Sequence, residues 1–153
     1  MAGRRDAIKM SDEEIHEFLE AGRDLQVASI NADGTPHLVT MWYAMHDGDI
    51  AFWTYGKSQK IVNLRRDPRL TVLVATGEVY EQLKGVSIQG QAELVDDPAD
   101  VLRYGEAVYV RYWGPLNDTV REGVQAMGAK RVVVVVKPEK ILSWDHSKLG
   151  GAY

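Results

Sequence analysis

The sequence predicts a mainly β protein, an antiparallel barrel that is closed or nearly closed and carries short helices between its strands. About six segments of strand length are rich in β-branched and aromatic residues. Short turns join several of them, as expected for neighbouring antiparallel strands. The regular strand–helix alternation and the glycine fingerprint of a nucleotide-binding parallel sheet are both missing. These observations favour a barrel over a doubly wound sheet.

The N-terminal half is predicted to hold one helix followed by a three-stranded meander. Ser11 and Glu14 have the spacing of a capping box, and Gly22 is a plausible end for the helix that they begin. Asp-Gly pairs at positions 33 and 47 are strong hairpin signals. The strands on either side of these turns are residues 25–30, 37–45 and 50–55.

The C-terminal half is predicted to alternate between helices and longer strands. A short helix follows the third strand and ends at Asp67-Pro68, because the residue before proline avoids the helical region. Asp97-Pro98 opens a second helix, which Gly114-Pro115 breaks, and Asn117 or Asp118 caps a third that runs to about Met127. The remaining strands are residues 70–75, 86–95 and 131–142.

Composition predicts one domain spanning residues 1–153, and it excludes several classes of function. The net charge of −4 argues against a nucleic-acid partner, which normally requires a basic surface. Without cysteine there are no disulfides, thiol chemistry or cysteine-bound metals, and the four histidines lack metal-ligand spacing. The first residues contain no signal-peptide core, and the longest aliphatic run, Val132–Val136, cannot span a bilayer. We therefore expect a cytoplasmic protein without a membrane or metal partner.

The basic segment WTYGKSQKIVNLRRDPRLTV, residues 53–72, concentrates positive charge in an acidic chain. It contains five cations and one acid: Lys57, Lys60, Arg65, Arg66, Arg69 and Asp67. Thr54, Ser58 and Gln59 add neutral donors where a strand leads into the start of a helix. Free backbone N–H groups and the helix dipole make such a position suitable for phosphate. The three arginines either extend a positive track for a longer anion or face water, as charge runs usually do.

Aromatic residues lie beside this anion site. Met41, Trp42 and Tyr43 come from one predicted strand, and Trp53 and Tyr55 from the next. Alternation along a strand allows only some of them to line one pocket, and core packing is the more frequent role for a residue such as Trp53. Together with the anion site they predict a pocket for a phosphorylated aromatic heterocycle.

The ordered set of motifs resembles the pyridoxamine 5′-phosphate oxidase-like, flavin-binding split-barrel family. The central stretch GTPHLVTMWYAMHDGDIAFWTYGKSQKIVNLRRDPRLTVLV has the family's Gly-x-Pro turn, its Ser/Lys helix start and its Asp-Pro exit. VSIQGQAELVDD and KPEKILSWDHSKLGG resemble the later strands. The resemblance runs from about Leu25 to Trp144, and it implies a split β-barrel with short flanking helices.

The resemblance also implies the cofactor-binding residues. Thr54, Ser58, Gln59 and Lys60, with Lys57 beside them, would hold the cofactor phosphate. The flavin ring would be bordered by Val39, Thr40, Met41 and Trp42. The family forms its pocket at a homodimer interface, so Lys84 and Trp144 would approach the ring from the second subunit.

Two departures from the family direct the expected function away from vitamin B6 oxidation. The arginine that the family carries near the ring falls close to Leu38, and its arginine–histidine tail is replaced by DHSKLGGAY. The LRRDPR and SWDHSKLGG stretches resemble the actinobacterial branch that uses the deazaflavin coenzyme F420. That branch transfers a hydride to an electron-poor small molecule. The oligoglutamate tail of F420 would suit Lys57, Arg65 and Arg66.

Other functions on the same fold stay open at this point. An FMN-dependent oxidoreductase would use the same phosphate site, and a non-catalytic protein could bind flavin, deazaflavin or haem, the last through an axial ligand such as His146. Hydride chemistry belongs to the cofactor, so no catalytic residue is assigned. Tyr43, His37 and His146 are the candidate proton donors, each with a structural alternative.

Overall fold

The chain folds as a seven-stranded antiparallel sheet that curls into a half-barrel. The structure is a computed structural model that describes residues 3–151. The strands are β1 (Leu25–Ile30), β2 (Pro36–Met41), β3 (Ala44–His46), β4 (Asp49–Tyr55), β5 (Arg69–Thr76), β6 (Lys84–Val95) and β7 (Arg131–Asp145). Their order across the sheet is β2-β1-β5-β6-β7-β4-β3. The predicted antiparallel split barrel is confirmed.

Five α-helices accompany the sheet in the described residues. They are α1 (Arg4–Ala7), α2 (Asp12–Ala21), α3 (Gln59–Arg66), α4 (Pro98–Trp113) and α5 (Asp118–Gly128). The capping box of α2 is present, since Ser11 and Glu14 exchange side-chain and backbone hydrogen bonds. Asn117 caps α5 as expected, and α3 ends before Pro68. None of these helices is long and apolar enough to cross a membrane.

The predicted three-stranded meander is wrong, because the strand predicted over residues 37–45 is broken at Trp42–Tyr43. The first part, β2, pairs with β1, whereas β3 pairs with β4 at the opposite edge of the sheet. Trp42 stacks on Tyr112 of α4 with ring centroids 4.3 Å apart. The Tyr43 hydroxyl donates to the Leu19 carbonyl, and its ring is fully buried. These contacts with helices lead the chain from one sheet edge to the other.

The split of the barrel lies between the two edges of the sheet. Within residues 3–151, β2 pairs with β1 alone, and β4 pairs with β3 only as far as Ala51. Helix α3 connects the two sides, because it follows β4 and packs on β1. The fully buried Asn63 of α3 donates to Ser29 Oγ at 3.1 Å and to Asn31 Oδ1 at 3.0 Å.

The sheet is covered on both faces by separate hydrophobic clusters. Val132, Val134 and Val136 point into the half-barrel, and Val133 and Val135 point towards α4 and α5. The five consecutive valines of β7 are therefore all buried, which explains why the sequence shows no alternation there. The second cluster fixes α4 and α5 against the outer face of β4 and β7.

Candidate functional site

Three side chains of the basic segment come together where β4 leads into α3. Lys60 Nζ donates to Thr54 Oγ1 at 3.0 Å, and Ser58 Oγ lies 3.5 Å from the same oxygen. Thr54 is only 3% exposed. We call Thr54, Ser58 and Lys60 the cradle. The grouping that the sequence predicted for these three residues is present in the structure.

The hydroxyl of Ser58 is available to a ligand. Ser58 precedes the first residue of α3, where a serine side chain ordinarily caps a backbone N–H of the first turn. No such capping bond forms here. Because the start of a helix also offers unpaired N–H groups and the positive end of its dipole, this arrangement suits an anion.

Lys60 is a partly buried cation without a neutralising partner. It forms no ion pair with any carboxylate of residues 3–151, and its contact is the neutral hydroxyl of Thr54. Burial lowers the pKa of the Lys60 ammonium below its ordinary value, and repulsion from the Arg131 guanidinium lowers it further. Such a group gains from an anionic ligand, which supplies the missing charge.

Sequence reasoning assigned no site role to Arg131, the first residue of β7. Arg131 is paired in register with Tyr55, and its Cζ lies 4.4 Å from the Tyr55 ring centroid and 4.9 Å from that of Trp53. Its Nε is buried without a hydrogen-bond partner. The pairing of β7 with the end of β4 places it beside the cradle. The available signal was a pair of cations, Lys130 and Arg131, directly before a buried valine run.

A cavity of about 380 Å³ opens beside Arg131, between the sheet and helices α4 and α5. Its volume is within the usual range for a small-molecule pocket. The strand side is formed by the predicted ring-binding residues Thr40, Met41 and Trp42. The helix side includes Tyr109 and Trp113. The lining is mostly apolar, and Arg131 is its charged group.

Trp53 has both of the roles that the sequence left open. It is 9% exposed and belongs to the cluster beneath α4, but it also lines the cavity. A Cβ on Gly105 would lie 2.4 Å from Trp53 Cζ3, so only glycine lets the ring approach the helix this closely. Trp42 packs between Tyr112 and Trp113, with ring centroids at 4.3 and 4.8 Å. Trp42 is stacked on Tyr112 and meets Trp113 edge to face, so Trp42 and Trp113 form an aromatic wall of the cavity.

The other predicted phosphate ligands are not drawn into the cradle. Gln59 Nε2 donates to Asn63 Oδ1 at 2.9 Å, and Lys57 is exposed. On β2, Val39 packs against the interior of the half-barrel, whereas Leu38 and Thr40 are exposed. Val39 can therefore border a ring in the split only through its backbone.

Lys84 and Trp144 lie away from the cavity within one protomer. Lys84 Nζ is 3.3 Å from Asp145 Oδ2, and Trp144 covers Gly85, whose Cβ would lie 2.2 Å from Trp144 Cζ2. Both are near the end of the fifteen-residue strand β7, whereas Arg131 begins it. A contribution from these two residues to the site thus requires a second subunit.

The candidate proton donors have structural partners or no access to the cavity. The fully buried hydroxyl of Tyr43 donates to a carbonyl, and burial raises its pKa to about 12. His146 Nδ1 lies 3.0 Å from the Tyr80 carbonyl, in a short 3₁₀ turn rather than in a loose tail. His37 is partly buried, with an unpartnered Nδ1. No group of three potential metal ligands occurs in residues 3–151.

Similar proteins share this fold over almost the whole chain. A crystal structure of a conserved hypothetical protein from Mycobacterium tuberculosis is 45% identical, with a TM-score of 0.93 over 99% of this chain and 95% of that one. A structure described as an F420 reductase is 27% identical, with a TM-score of 0.66 over 82% of this chain and 94% of that one. An FAD-binding protein from Mesorhizobium loti, 24% identical with a TM-score of 0.64 over 88% and 93% of the two chains, shares the fold.

The sequence itself matches a known family. No curated protein matches it significantly. The pattern of the family described as pyridoxamine 5′-phosphate oxidase, however, matches residues 11–145, which include the cradle, the edge strand β2 and both later strands. The chain therefore belongs to the pyridoxamine 5′-phosphate oxidase family and has the flavin-binding, oxidoreductase-type split barrel of that family.

Proposed function

We propose that this protein is an oxidoreductase that uses the deazaflavin F420 to transfer a hydride to an electron-poor small molecule. The observation that carries the proposal is the cradle, in which Lys60 donates to Thr54 beside Ser58, whose hydroxyl does not cap α3. A partly buried cation without a carboxylate partner is costly unless an anion binds it. The phosphate of a flavin-type cofactor meets that requirement.

The edge of the split provides the place for the cofactor ring. The outer edge of β2 is unpaired, so backbone groups near Thr40 and Met41 are free to bond the polar edge of a ring. The apolar cavity continues from these residues towards Trp113. When bound, the cofactor supplies the hydride chemistry. The residues of this chain bind it, orient it and exclude water.

Two exposed cations support the choice of F420 over a shorter flavin. Arg69 is committed to Asp67, with Nη2 and Oδ2 at 2.7 Å, and Arg66 donates to the Ile30 carbonyl. Lys57 and Arg65 are exposed, and neither forms an ion pair within the described residues. Lys57 and Arg65 are therefore the two cations of the basic segment that we propose for binding an acidic tail. The likeness to a protein described as an F420 reductase points the same way.

FMN is the alternative cofactor, because the cradle serves a flavin phosphate equally well. In either case we propose a homodimer in which Lys84 and Trp144 of the second subunit complete the ring site. Their distance from the cavity within one protomer and the shared family support this arrangement. A protein that binds F420, flavin or haem without turnover is the remaining candidate.

Turnover distinguishes these functions. Purified protein is mixed with chemically reduced F420 and a panel of electron-poor acceptors, such as activated enones and nitroaromatics, and the return of F420 absorbance is followed. We expect acceptor-dependent oxidation in the wild type and its loss in Lys60→Ala, with the nearby exposed Lys130→Ala as a control. Turnover with reduced FMN alone would support the alternative cofactor. Binding without turnover across the panel would support a non-catalytic protein.

A further inference from the structure

Arg131 and Lys60 are neighbouring cations on different elements, and Arg131 also lines the cavity. Arg131 begins β7, and Lys60 lies in the first turn of α3. They are close enough for the Arg131 charge to lower the pKa of Lys60. Neither forms an ion pair within residues 3–151. Two like charges held together without a counterion indicate that the space between them is suited to an anion.

Contacts within the protein leave part of the Arg131 guanidinium unsatisfied. Its plane lies against the rings of Tyr55 and Trp53, and cation–π attraction accounts for its position over them. Ring faces do not replace the hydrogen bonds that an arginine makes, and Nε is buried without an acceptor. A buried donor without an acceptor is destabilising, so a ligand oxygen would be stabilising there.

We propose that Arg131 is a second phosphate-binding residue, which holds the cofactor phosphate together with Lys60 from the opposite side of the cradle. This inference rests on the proposed function and adds to it a residue from outside the basic segment. A guanidinium can donate two parallel hydrogen bonds to phosphate oxygens, and an ammonium adds a third from another direction. Arg131 also lines the cavity, so it would fix the phosphate relative to the ring.

The edge strand β2 has no lysine or arginine that could bind the phosphate. Position 38, on the edge strand, carries an exposed leucine. Leu38 and Thr40 are both exposed on β2, and residues two apart point to the same face of a strand. Because Thr40 lines the cavity with Arg131, position 38 faces the same side of the split. Arg131 would thus supply, from β7, the positive charge that β2 does not.

The test compares ligands with and without phosphate. Affinities of FMN and riboflavin, and of F420 and its phosphate-free riboside, are measured by fluorescence for the wild type, Lys60→Met, Arg131→Met and Lys130→Met. The FMN to riboflavin ratio isolates the phosphate contribution, whereas the ratio for the F420 pair also includes the contribution of the acidic tail. We expect Lys60→Met and Arg131→Met each to lower the ratio by about tenfold or more, and to leave the phosphate-free ligand unchanged. Lys130→Met is a control for net charge beside the site.

A second variant separates loss of phosphate binding from loss of folding when Arg131 is replaced. Arg131→Gln replaces Arg131→Met if the latter does not fold, as judged by thermal unfolding. Leu38→Arg is then added to either, and partial recovery of the ratio is expected. If the affinity ratio falls in Lys60→Met but not in the variants of Arg131, the role proposed for Arg131 is wrong and the proposed function still stands. Equal weakening of both ligands at position 131 would also overturn that role. A wild-type affinity ratio near one would contradict phosphate binding at this site altogether, and with it the proposed function.

Discussion

At the scale of single residues, the site depends on positive charge that the protein does not neutralise. Most cations with assigned partners form surface ion pairs, such as Arg103 with Asp100 at 2.9 Å and Lys137 with Asp49 at 3.0 Å. Lys60 and Arg131 do not, although both are partly buried. Surface ion pairs such as these contribute little to stability. Lys60 and Arg131, which have no carboxylate partner, are therefore the cations to test for function.

The lowered pKa of Lys60 gives cofactor binding a pH dependence. Because burial and then Arg131 lower this pKa, Lys60 loses its proton at a lower pH than an exposed lysine. The phosphate is fully ionised above neutral pH, so its affinity should fall as rising pH removes the lysine proton. We expect the FMN to riboflavin affinity ratio of the wild type to decrease at alkaline pH, below the pH range in which an exposed lysine loses its proton. In Lys60→Arg, which stays charged, the ratio should stay flat, and a parallel fall in both proteins would assign the titration to another group.

Substitution of Gly105 tests whether α4 must lie this close to the Trp53 ring. In Gly105→Ala the new Cβ would lie 2.4 Å from the Trp53 ring, so the ring or the helix must move. We expect a loss of about 1–3 kcal/mol in the free energy of unfolding, measured with denaturant. Gly123→Ala on α5 is the matched control, because a Cβ there meets nothing within 4 Å and alanine favours a helix by about 1 kcal/mol. Equal stability of the two variants would contradict the packing described here.

At the scale of elements, α3 holds the cradle in place through its attachment to β1. Asn63 joins the helix to Ser29 and Asn31 across the split. In Asn63→Ala those two side chains lose their donor, so we expect a loss of about 1–3 kcal/mol in the free energy of unfolding. If α3 also shifts, the phosphate contribution to FMN affinity should fall even though Asn63 does not touch the cradle. A destabilised variant with unchanged phosphate contribution would limit Asn63 to a structural role.

Local signals predicted most elements, because they act within a few residues. The capping box of α2, the proline after α3 and the Asp-Gly turns operate over four residues or fewer, and each appears where the sequence places it. The meander was wrong for a non-local reason. The break at Trp42–Tyr43 depends on Tyr112 and Leu19, which are distant in sequence. Arg131 was overlooked for the same reason, since its place follows from its register with Tyr55.

In the whole molecule, the proposed ring site needs a second subunit. Trp144 and Lys84 cannot reach the cavity of their own protomer, since they lie at the far end of the longest strand. If a partner supplies them, Trp144→Ala should weaken the binding of FMN and riboflavin alike, because the ring contact is lost and the phosphate contact is not. Sedimentation measures the oligomeric state in parallel. A monomer that binds cofactor with full affinity would contradict the shared site.

Equilibrium binding of F420 and FMN to the cofactor-free protein, followed by quenching of cofactor or tryptophan fluorescence, reports on the phosphate site directly. Lys60→Ala is compared with the wild type, and Lys130→Ala is the control. The account predicts that F420 binds more tightly than FMN to the wild type and to the control, and that Lys60→Ala loses this binding. Tighter binding of FMN would favour the flavin alternative. Failure of both cofactors to bind, or equal binding to Lys60→Ala, would contradict the phosphate-binding role proposed for the cradle.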